Sequence, residues 1–383
     1  MLHLDRPSRK TLIVAIVLLI LLTTASVNFF ITSTYSHGTV TETKVSAGYL
    51  ENQHSSFENT TNDPWYCSCK EEEEEVEKQT EPHAEERPLI VPESFAPPPK
   101  AVLDKINANL DDGRVLTVAT ANYGMRNHVY NWIESLNRTG EEKYLIFCLD
   151  EQLYDHLVAA GYGTHASPIP VSWLHQDVEA GFEEYYSAKY RVITGAKTWV
   201  VQQLLYLDIT VFFSDVDVVW MRPRLREFVY TFLDIRPETH VLFQQEGVDQ
   251  RVVNSGFYMM RPENTMKRLL AHTIYLQDNN PTMTQQAAMN SALNHMDMDI
   301  RTSSVVLLDV LHFPNGFVYF THDLPRRHGI EPFVVHANYL VGDDKRKKLK
   351  EHNLWYLDDD WLSNMDTQLE KAKTVKTNKK TDK

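Results

Sequence analysis

The chain has 383 residues, with 38 Lys or Arg against 52 Asp or Glu, and its formal net charge is −14. An acidic chain lacks the basic footprint that nucleic-acid binding requires, so we expect no nucleic-acid partner. Its three cysteines and their neighbouring histidines show no spacing typical of a zinc site.

The N-terminal region predicts membrane attachment. Residues 12–31 form an almost uninterrupted apolar run without a charge, and about 20 helical residues span the hydrocarbon core of a bilayer. Three basic residues lie in the preceding segment, 1–11, which keeps that side cytoplasmic. We therefore expect a cytoplasmic tail over 1–11 and a transmembrane signal-anchor helix over 12–31. A signal peptide cleaved after Ala25 is the alternative.

Residues 32–105 have the composition of an unfolded luminal stem. They contain Ser/Thr-rich stretches, the acidic block Glu71–Glu75 and many prolines, and such segments bury too little apolar surface to offset chain entropy. Cys67 and Cys69 lie too close together for an ordinary bridge to each other. In an oxidising lumen they predict a homodimer joined by a disulfide between two chains.

Residues 106–362 read as one α/β domain, followed by a disordered basic tail over 363–383. Strands and helices alternate along the domain, which predicts a mainly parallel sheet with helices on both faces. The strands are expected at Val115–Thr120, Tyr144–Leu149 and the run ending at Asp215, and the helices at Val129–Leu136, Leu153–Ala160 and Lys189–Leu205.

The most informative segment is Val211–Trp220, an apolar strand that ends in two carboxylates. Side chains alternate along a strand, so Asp215 and Asp217 are expected on the same side. Hard divalent cations such as Mg²⁺ and Mn²⁺ bind one or two carboxylates together with substrate phosphates. The segment therefore predicts a metal–diphosphate site, against the alternative of a solvated acidic turn.

Other polar residues follow predicted strands, where ligands of open α/β sheets gather. Asn122 and Tyr123 follow the first strand, and His336 ends the apolar run Pro332–Val335. An imidazole at a strand end predicts a third metal ligand, with a buried structural histidine as the alternative. Gly342 and Lys345 offer close backbone approach and positive charge to a phosphate, unless they form only a surface turn before a basic helix.

Five segments, in order, resemble the nucleotide-diphospho-sugar transferase family grouped as glycosyltransferase family 77. The resemblance covers roughly residues 113–356 and is carried by VATANY, FFSDVDVVWMRP, VVNSGFYMMRP, FPNGFVYF and PFVVHANYLVGDDKRKKLKEHNLW. It implies a GT-A-type, Rossmann-like fold in a type II Golgi membrane enzyme whose catalytic domain is luminal. The sequons at Asn59 and Asn137 agree with that location.

The resemblance also implies roles for individual residues. The implied metal ligands are Asp215, Asp217 and His336. The implied nucleotide-sugar-binding residues are Thr120, Asn122, Tyr123, Lys197, Asp215, Ser255, Gly256, Gly342 and Lys345. The implied catalytic residues are Asp217, Asn254 and Gln286. The residue before Gln286 is Gln285, where relatives carry Asp, and this departure bears on how the donor sugar is held.

The expected activity is Mn²⁺- or Mg²⁺-dependent transfer of a galactose-, xylose- or arabinose-type sugar from a UDP-sugar to a glycan or glycoprotein. The resemblance implies retention of anomeric configuration. Retention by double displacement needs a carboxylate beyond the sugar, for which Glu246 and Asp249 are the nearest candidates. We prefer a front-face mechanism, in which the leaving phosphate helps to deprotonate the acceptor.

Two other functional classes stay open at this stage. Asp215–Val219 also fits the nucleophile motif of haloacid-dehalogenase-type phosphotransferases, and Gly342-Asp343-Asp344 imitates their later acidic pair. A non-catalytic, membrane-tethered binding protein on a transferase fold is the second class. Metal-dependent release of p-nitrophenol from p-nitrophenyl phosphate distinguishes the first, and absence of nucleotide-sugar turnover the second.

Overall fold

The computed structural model describes residues 88–174, 188–280, 282–298, 304–358, 360–367 and 369, without the side chains of 188–193. The expected anchor, Asn59 and both stem cysteines lie outside these residues, as does most of the expected stem. Within the described residues, no helix is both long enough and apolar enough to span a membrane.

The described chain alternates strands and helices, as the sequence predicted. The strands are β1 (Val115–Ala121), β2 (Tyr144–Cys148), β3 (Ala166–Pro168), β4 (Thr210–Ser214), β5 (Val218–Trp220), β6 (Val241–Gln245), β7 (Val253–Met260), β8 (Val305–Leu307) and β9 (Val334–His336). The helices are α1 (Lys100–Asn109), α2 (Arg126–Thr139), α3 (Glu151–Ala159), α4 (Ala188–Tyr206), α5 (Leu225–Asp234), α6 (Asn264–Asn279), α7 (Gln285–His295), α8 (Leu324–Arg327) and α9 (Asp343–Glu351).

Seven strands form one mixed sheet in the order β3-β2-β1-β4-β7-β6-β8. Strands β3, β2, β1 and β4 are mutually parallel, and β8 is parallel to β6. Strand β7 runs antiparallel to both β4 and β6. The mainly parallel sheet flanked by helices is therefore confirmed. The reversal of β7 follows from the short connection 246–252, which joins antiparallel neighbours and is too short for a parallel crossover.

Helices bury both faces of the sheet, and alternate residues of its strands enter different cores. In β4, Phe212 packs edge-on against Phe257 on one face, whereas Phe213 stacks on Tyr258 on the other, with ring centroids 5.3 Å apart. Continuous apolar strands are the expected pattern for a sheet covered on both faces. The polar residues that follow such strands therefore lie where the carboxyl ends of the parallel strands meet, which we call the sheet edge.

The folded part begins earlier than the expected boundary at residue 106, which falls inside α1. Val102 and Ile106 of this helix are buried in the core. Upstream of it, the ring of Phe95 packs edge-on against Tyr206 at 4.7 Å. The Pro-rich composition gave no sign of this packing, because Tyr206 lies about a hundred residues further along the chain than Phe95.

The expected boundary at the other end, residue 362, also falls short of the folded part. Asp366, placed in the disordered tail from its sequence context, pairs with Arg126 at 2.7 Å and hydrogen-bonds His156 Nε2 at 3.0 Å. Residues 371–383 of the expected tail lie outside the described residues. A single acidic residue in a polar segment gives no local signal of such distant partners.

Asp150 ties the end of β1 to the start of α3. Its Oδ1 accepts from Leu153 N at 2.7 Å as the helix N-cap, and its Oδ2 accepts from Tyr123 N at 2.8 Å. One carboxylate therefore satisfies two backbone donors in different segments. This bond fixes the loop that carries the expected nucleotide-binding residues.

We expect Asp150→Ala to lower the free energy of unfolding by about 1–3 kcal/mol, since it removes a helix cap and a second hydrogen bond. Urea denaturation followed by circular dichroism measures this change. The control is Asp155→Ala, an exposed position in the same helix, expected within about 0.5 kcal/mol of wild type. Equal stability of the two variants would contradict the role assigned to Asp150.

Candidate active site

The two carboxylates lie on a turn between two strands rather than along one strand. Strand β4 ends at Ser214, and Val218 N donates to Asp215 O at 3.1 Å across the turn. Our expectation that strand alternation aligns Asp215 and Asp217 was therefore wrong. The strands on the two sides of this turn belong to different sheets, since β4 pairs with β7 and β5 pairs with β9.

A two-stranded antiparallel ribbon brings His336 to this turn. Strand β5 pairs with β9 so that Val218 lies opposite His336, and Ala337 N donates to Asp217 O at 3.0 Å. His336 is thereby held beside Asp217, although the two residues are far apart in sequence. The imidazole Nε2 lies 3.3 Å from Asp217 Oδ1.

Asp215, Asp217 and His336 each place a ligand atom within 4.8 Å of the other two. Within the described residues, no other group of three such side chains meets this geometry. Asp217 and His336 are 6% and 2% exposed, and Asp215 is half-buried. Two carboxylates and one imidazole are a donor set that suits Mn²⁺, so the residues present fit the implied metal.

Gly256 leaves room for this cluster. A Cβ there would collide with Asp215 Oδ2 and would lie 2.7 Å from His336 Cε1. Gly256 O also accepts from Asp215 N at 2.7 Å, which fixes the first residue of the turn. The glycine of the Asn254-Ser255-Gly256 segment is therefore required by close approach to two of the three candidate ligands.

Two lysines surround the carboxylates with positive charge. Lys345 Nζ lies 2.6 Å from Asp217 Oδ2, and Lys197 Nζ lies 3.4 Å from Asp215 Oδ2. Lys345 is on the first turn of α9, which begins after Gly342, where φ 57° and ψ −131° suit glycine. The structure thus brings Lys197 and Lys345 to the pair, while Gly342 shapes the approach of α9.

The environment gives the two carboxyls different proton affinities. Burial, with the neighbouring Asp217 charge, raises the pKa of Asp215 despite Lys197. Burial also acts on Asp217, but Lys345 and His336 outweigh it and hold its pKa well below the usual range. Charged groups held close together push their pKa values apart in this way. A cation near Asp215 would favour its ionised form.

Asn254, Gln286 and Ser255 form a hydrogen-bonded layer beside the cluster. Asn254 Oδ1 accepts from Gly256 N at 2.7 Å, and Gln286 Oε1 accepts from Ser255 N at 3.1 Å. Gln285, where relatives carry Asp, is buried and accepts from Ser255 Oγ at 2.6 Å. Its amide also donates to Thr198 Oγ1 at 3.1 Å. Gln285 therefore links β7 to α4.

The expected nucleotide loop lies at the same sheet edge, because β1 and β4 are parallel neighbours. Thr120 and Asn122 are buried, and Tyr123 is partly exposed. The Arg126 guanidinium lies over the Tyr123 ring, 4.6 Å from its centroid. The structure places these residues near the end of β1, where Tyr123 is partly exposed and carries a cation over its ring.

Gln244, His128 and Asn338 were missed from the sequence, whereas Glu246 was named only as a candidate nucleophile. Glu246 accepts from the side-chain amides of Asn254 and, at 3.4 Å, Asn338, and Gln244 hydrogen-bonds His336 at 2.7 Å. Burial, followed by the Lys345 charge, lowers the pKa of His128 to about 4. The available signal was the polar run Gln244-Gln245-Glu246 ending an apolar strand. His128 and Asn338 had no such signal.

Comparison with known proteins gives a consistent result. A model of the nucleotide-diphospho-sugar transferase family matches residues 139–351. UDP-galactose:fucoside alpha-3-galactosyltransferase of Dictyostelium discoideum is 24% identical over 305 residues, covering 68% of this chain and 46% of its own length. UDP-D-xylose:L-fucose alpha-1,3-D-xylosyltransferase 1 of Arabidopsis thaliana is 25% identical over 252 residues, covering 60% of this chain and 67% of its own.

The match to the Dictyostelium protein thus spans about half of that relative's length. Among solved structures, galactosyltransferase LgtC, crystallised with donor and acceptor sugar analogues, matches 65% of this chain and 99% of its own at 13% identity, with a TM-score of 0.40. The matched family segment includes the turn, the ribbon and Lys345, and it covers more than half of the sequence. The chain therefore belongs to the nucleotide-diphospho-sugar transferase family.

Proposed function

We propose that the protein is a metal-dependent glycosyltransferase that moves a galactose-, xylose- or arabinose-type sugar from a UDP-sugar to a glycan or glycoprotein. The observation that carries this proposal is the group Asp215, Asp217 and His336 at the sheet edge, inside the matched family segment. The mixed sheet with carboxylates after its central strand β4 also supports a GT-A-type fold.

The candidate metal ligands and Lys345 would stabilise the leaving diphosphate in different ways. Asp215, Asp217 and His336 would hold Mn²⁺, which when bound supplies Lewis-acid stabilisation of the diphosphate. Lys345 places an ammonium group beside Asp217. Its fixed positive charge stabilises the negative charge that develops on the diphosphate as the bond to the anomeric carbon breaks.

Asn254 on β7 and Gln286 on α7 orient the sugar. The side-chain carbonyl oxygen of Gln286 already accepts from Ser255 N. The side-chain NH₂ group of Gln286 is left to donate to a sugar hydroxyl. An amide is a poor nucleophile, so a covalent intermediate on Gln286 is not expected. Thr120, Asn122 and Tyr123 are proposed to hold the nucleoside, with Tyr123 offering an aromatic surface.

We infer retention of configuration by the front-face mechanism, in which a leaving phosphate oxygen takes the acceptor proton. Asp249 is paired with Arg251 at 3.0 Å on a loop and makes a poor nucleophile. Glu246, held by two amides, is the carboxylate through which double displacement would act instead. A glycosyl–Glu246 adduct detected by peptide mass spectrometry would replace the front-face mechanism.

The two alternative classes find less support. A haloacid-dehalogenase-type phosphotransferase needs a second acidic pair near the first, but Asp343 and Asp344 are exposed at the start of α9. From the same helix it is Lys345 that reaches Asp217. A non-catalytic binding protein would not require two lysines beside the two carboxylates. Turnover measurements distinguish it from an enzyme.

A donor screen tests the proposed activity directly. We expect slow hydrolysis of UDP-galactose, UDP-xylose or UDP-arabinose with Mn²⁺, and faster turnover when an acceptor is added. Because the reported relatives are named for fucoside or L-fucose acceptors, the acceptor panel should include L-fucosides. Release of UDP measures both reactions. No Mn²⁺-dependent turnover of any UDP-sugar, together with release of p-nitrophenol from its phosphate, would overturn the proposal.

Replacing either carboxylate by its amide separates metal binding from folding. If both ligate the metal, Asp215→Asn and Asp217→Asn should each lower the turnover rate by about 10²–10³-fold, as loss of a strong electrostatic stabiliser does. Activity within a few-fold of wild type in both variants would remove the basis for the metal site.

The same two variants should differ in thermal stability without metal. A raised pKa means that ionised Asp215 opposes folding at neutral pH, so Asp215→Asn should leave the melting temperature unchanged or raise it. The lowered pKa of Asp217 means that its ionised form stabilises the fold above the unfolded-state pKa and that this is lost on acidification. Asp217→Asn should therefore lower the melting temperature in EDTA. The reverse order would contradict this charge balance.

We also propose a single-pass type II topology in the Golgi membrane, with the catalytic domain luminal, supported by the apolar run 12–31 and its basic flank. Asn137 is exposed on α2, which suits a glycan. We expect a glycosidase-sensitive mass shift in a secretory host that disappears in Asn59→Gln/Asn137→Gln. Digestion of the catalytic domain by protease added to intact microsomes would reject this orientation.

A further inference from the structure

We propose that Gln244 is a positioning residue that keeps a proton on His336 Nδ1 and so reserves Nε2, the nitrogen beside Asp217, for a metal. Gln244 is fully buried, and its Oε1 lies 2.7 Å from His336 Nδ1. This inference rests on the metal site of the proposed function and assigns the group that prepares one of its ligands.

The orientation of the Gln244 amide follows from its other contacts. Its Nε2 lies 3.0 Å from Phe313 O and 3.1 Å from Pro314 O. Both of these atoms are acceptors only, so the NH₂ group must face them and the carbonyl oxygen must face His336. A flipped amide would set an oxygen against two carbonyl oxygens in a buried environment, and the Gln244 oxygen would gain no donor from either of them.

The tautomer of His336 follows from that orientation. The Gln244 oxygen accepts only, so the hydrogen bond at 2.7 Å requires a proton on Nδ1. A neutral imidazole then carries its lone pair on Nε2, the nitrogen that lies 3.3 Å from Asp217 Oδ1. Metal-ligating histidines are commonly held in this way by an acceptor on the other ring nitrogen.

A break in the strand register accounts for the position of Gln244. Along β6, Phe243 pairs with Tyr258 of β7, but the next residue, Gln244, pairs with Asn254. The extra residues of β7 between these partners include Gly256, which approaches the carboxylates. Bulges of this kind redirect side chains beside active sites. This one irregularity therefore positions both Gln244 and Gly256.

The tautomer is measurable in the unmodified protein, without metal or nucleotide sugar. A long-range ¹H–¹⁵N correlation spectrum of the ¹⁵N-histidine-labelled protein at pH 8 distinguishes protonated from bare ring nitrogens. The His336 signals are identified by their loss in His336→Ala. We expect a protonated Nδ1, whichever charge state Nε2 adopts beside Asp217 in the metal-free protein. A protonated Nε2 with a bare Nδ1 would overturn the inference and leave the transferase proposal to its own activity test.

Gln244→Met removes the acceptor at nearly constant length, and Pro314 O keeps a donor in His336 N at 3.2 Å. The matched control is Gln245→Met, because Gln245 is equally buried but donates to Gly247 O at 3.3 Å. We expect the Kd for Mn²⁺ alone to rise about 10–100-fold in Gln244→Met and to stay within about twofold in Gln245→Met.

Mixed His336 tautomers in folded Gln244→Met, together with weaker Mn²⁺ binding, would support the proposal. Unchanged Mn²⁺ affinity in that variant would overturn it. If the wild-type protein shows the Nδ1–H tautomer but binds no Mn²⁺, the metal part of the proposed function fails while the hydrogen-bond assignment stands. If Gln244→Met does not fold, the wild-type tautomer decides the assignment.

Discussion

The site depends on the antiparallel pairing of β5 with β9. This pairing sets Val218 opposite His336 and lets Ala337 N bond Asp217 O at 3.0 Å. Backbone hydrogen bonds fix the separation of paired strands at about 5 Å, so the imidazole cannot move far from the carboxylate. Helix α9, which carries Lys345, follows β9 along the chain. A short ribbon outside the main sheet therefore organises the turn with the two carboxylates, the histidine and the lysine that contacts Asp217.

The charges around this ribbon balance differently at the two carboxylates. Asp217 has Lys345 at 2.6 Å and His336 at 3.3 Å, whereas the ion pair that the described residues give Asp215 is the longer one with Lys197, at 3.4 Å. The pKa values move in opposite directions for this reason. The ionised form of Asp217 is therefore stabilised by charges of the protein itself, whereas a further cation would stabilise the ionised form of Asp215 more.

Local patterns predicted the parts of the molecule whose neighbours lie close in sequence. The apolar runs of β1, β2 and β4 and the long helix α4 were predicted in this way, whereas the cluster of Asp215, Asp217 and His336 was expected from the resemblance to the family and from the strand-end position of His336. The sequence did not reveal that a turn separates the carboxylates, because pairing of β5 with β9 depends on residues over a hundred positions away. Long sequence separation also concealed Gln244, Asn338 and the ion pair of Asp366 with Arg126, since one polar residue carries no signal of its partner.

The central claim is that Asp215, Asp217 and His336 bind a divalent metal at the donor diphosphate. Anomalous X-ray diffraction from crystals grown with Mn²⁺ and UDP, recorded above the manganese absorption edge, tests it most directly. We predict one anomalous peak within about 2.0–2.6 Å of a ligand atom from each of the three residues, with UDP oxygens completing the coordination. UDP bound at the end of β4 with no anomalous peak there, or a peak at other residues, would contradict the account.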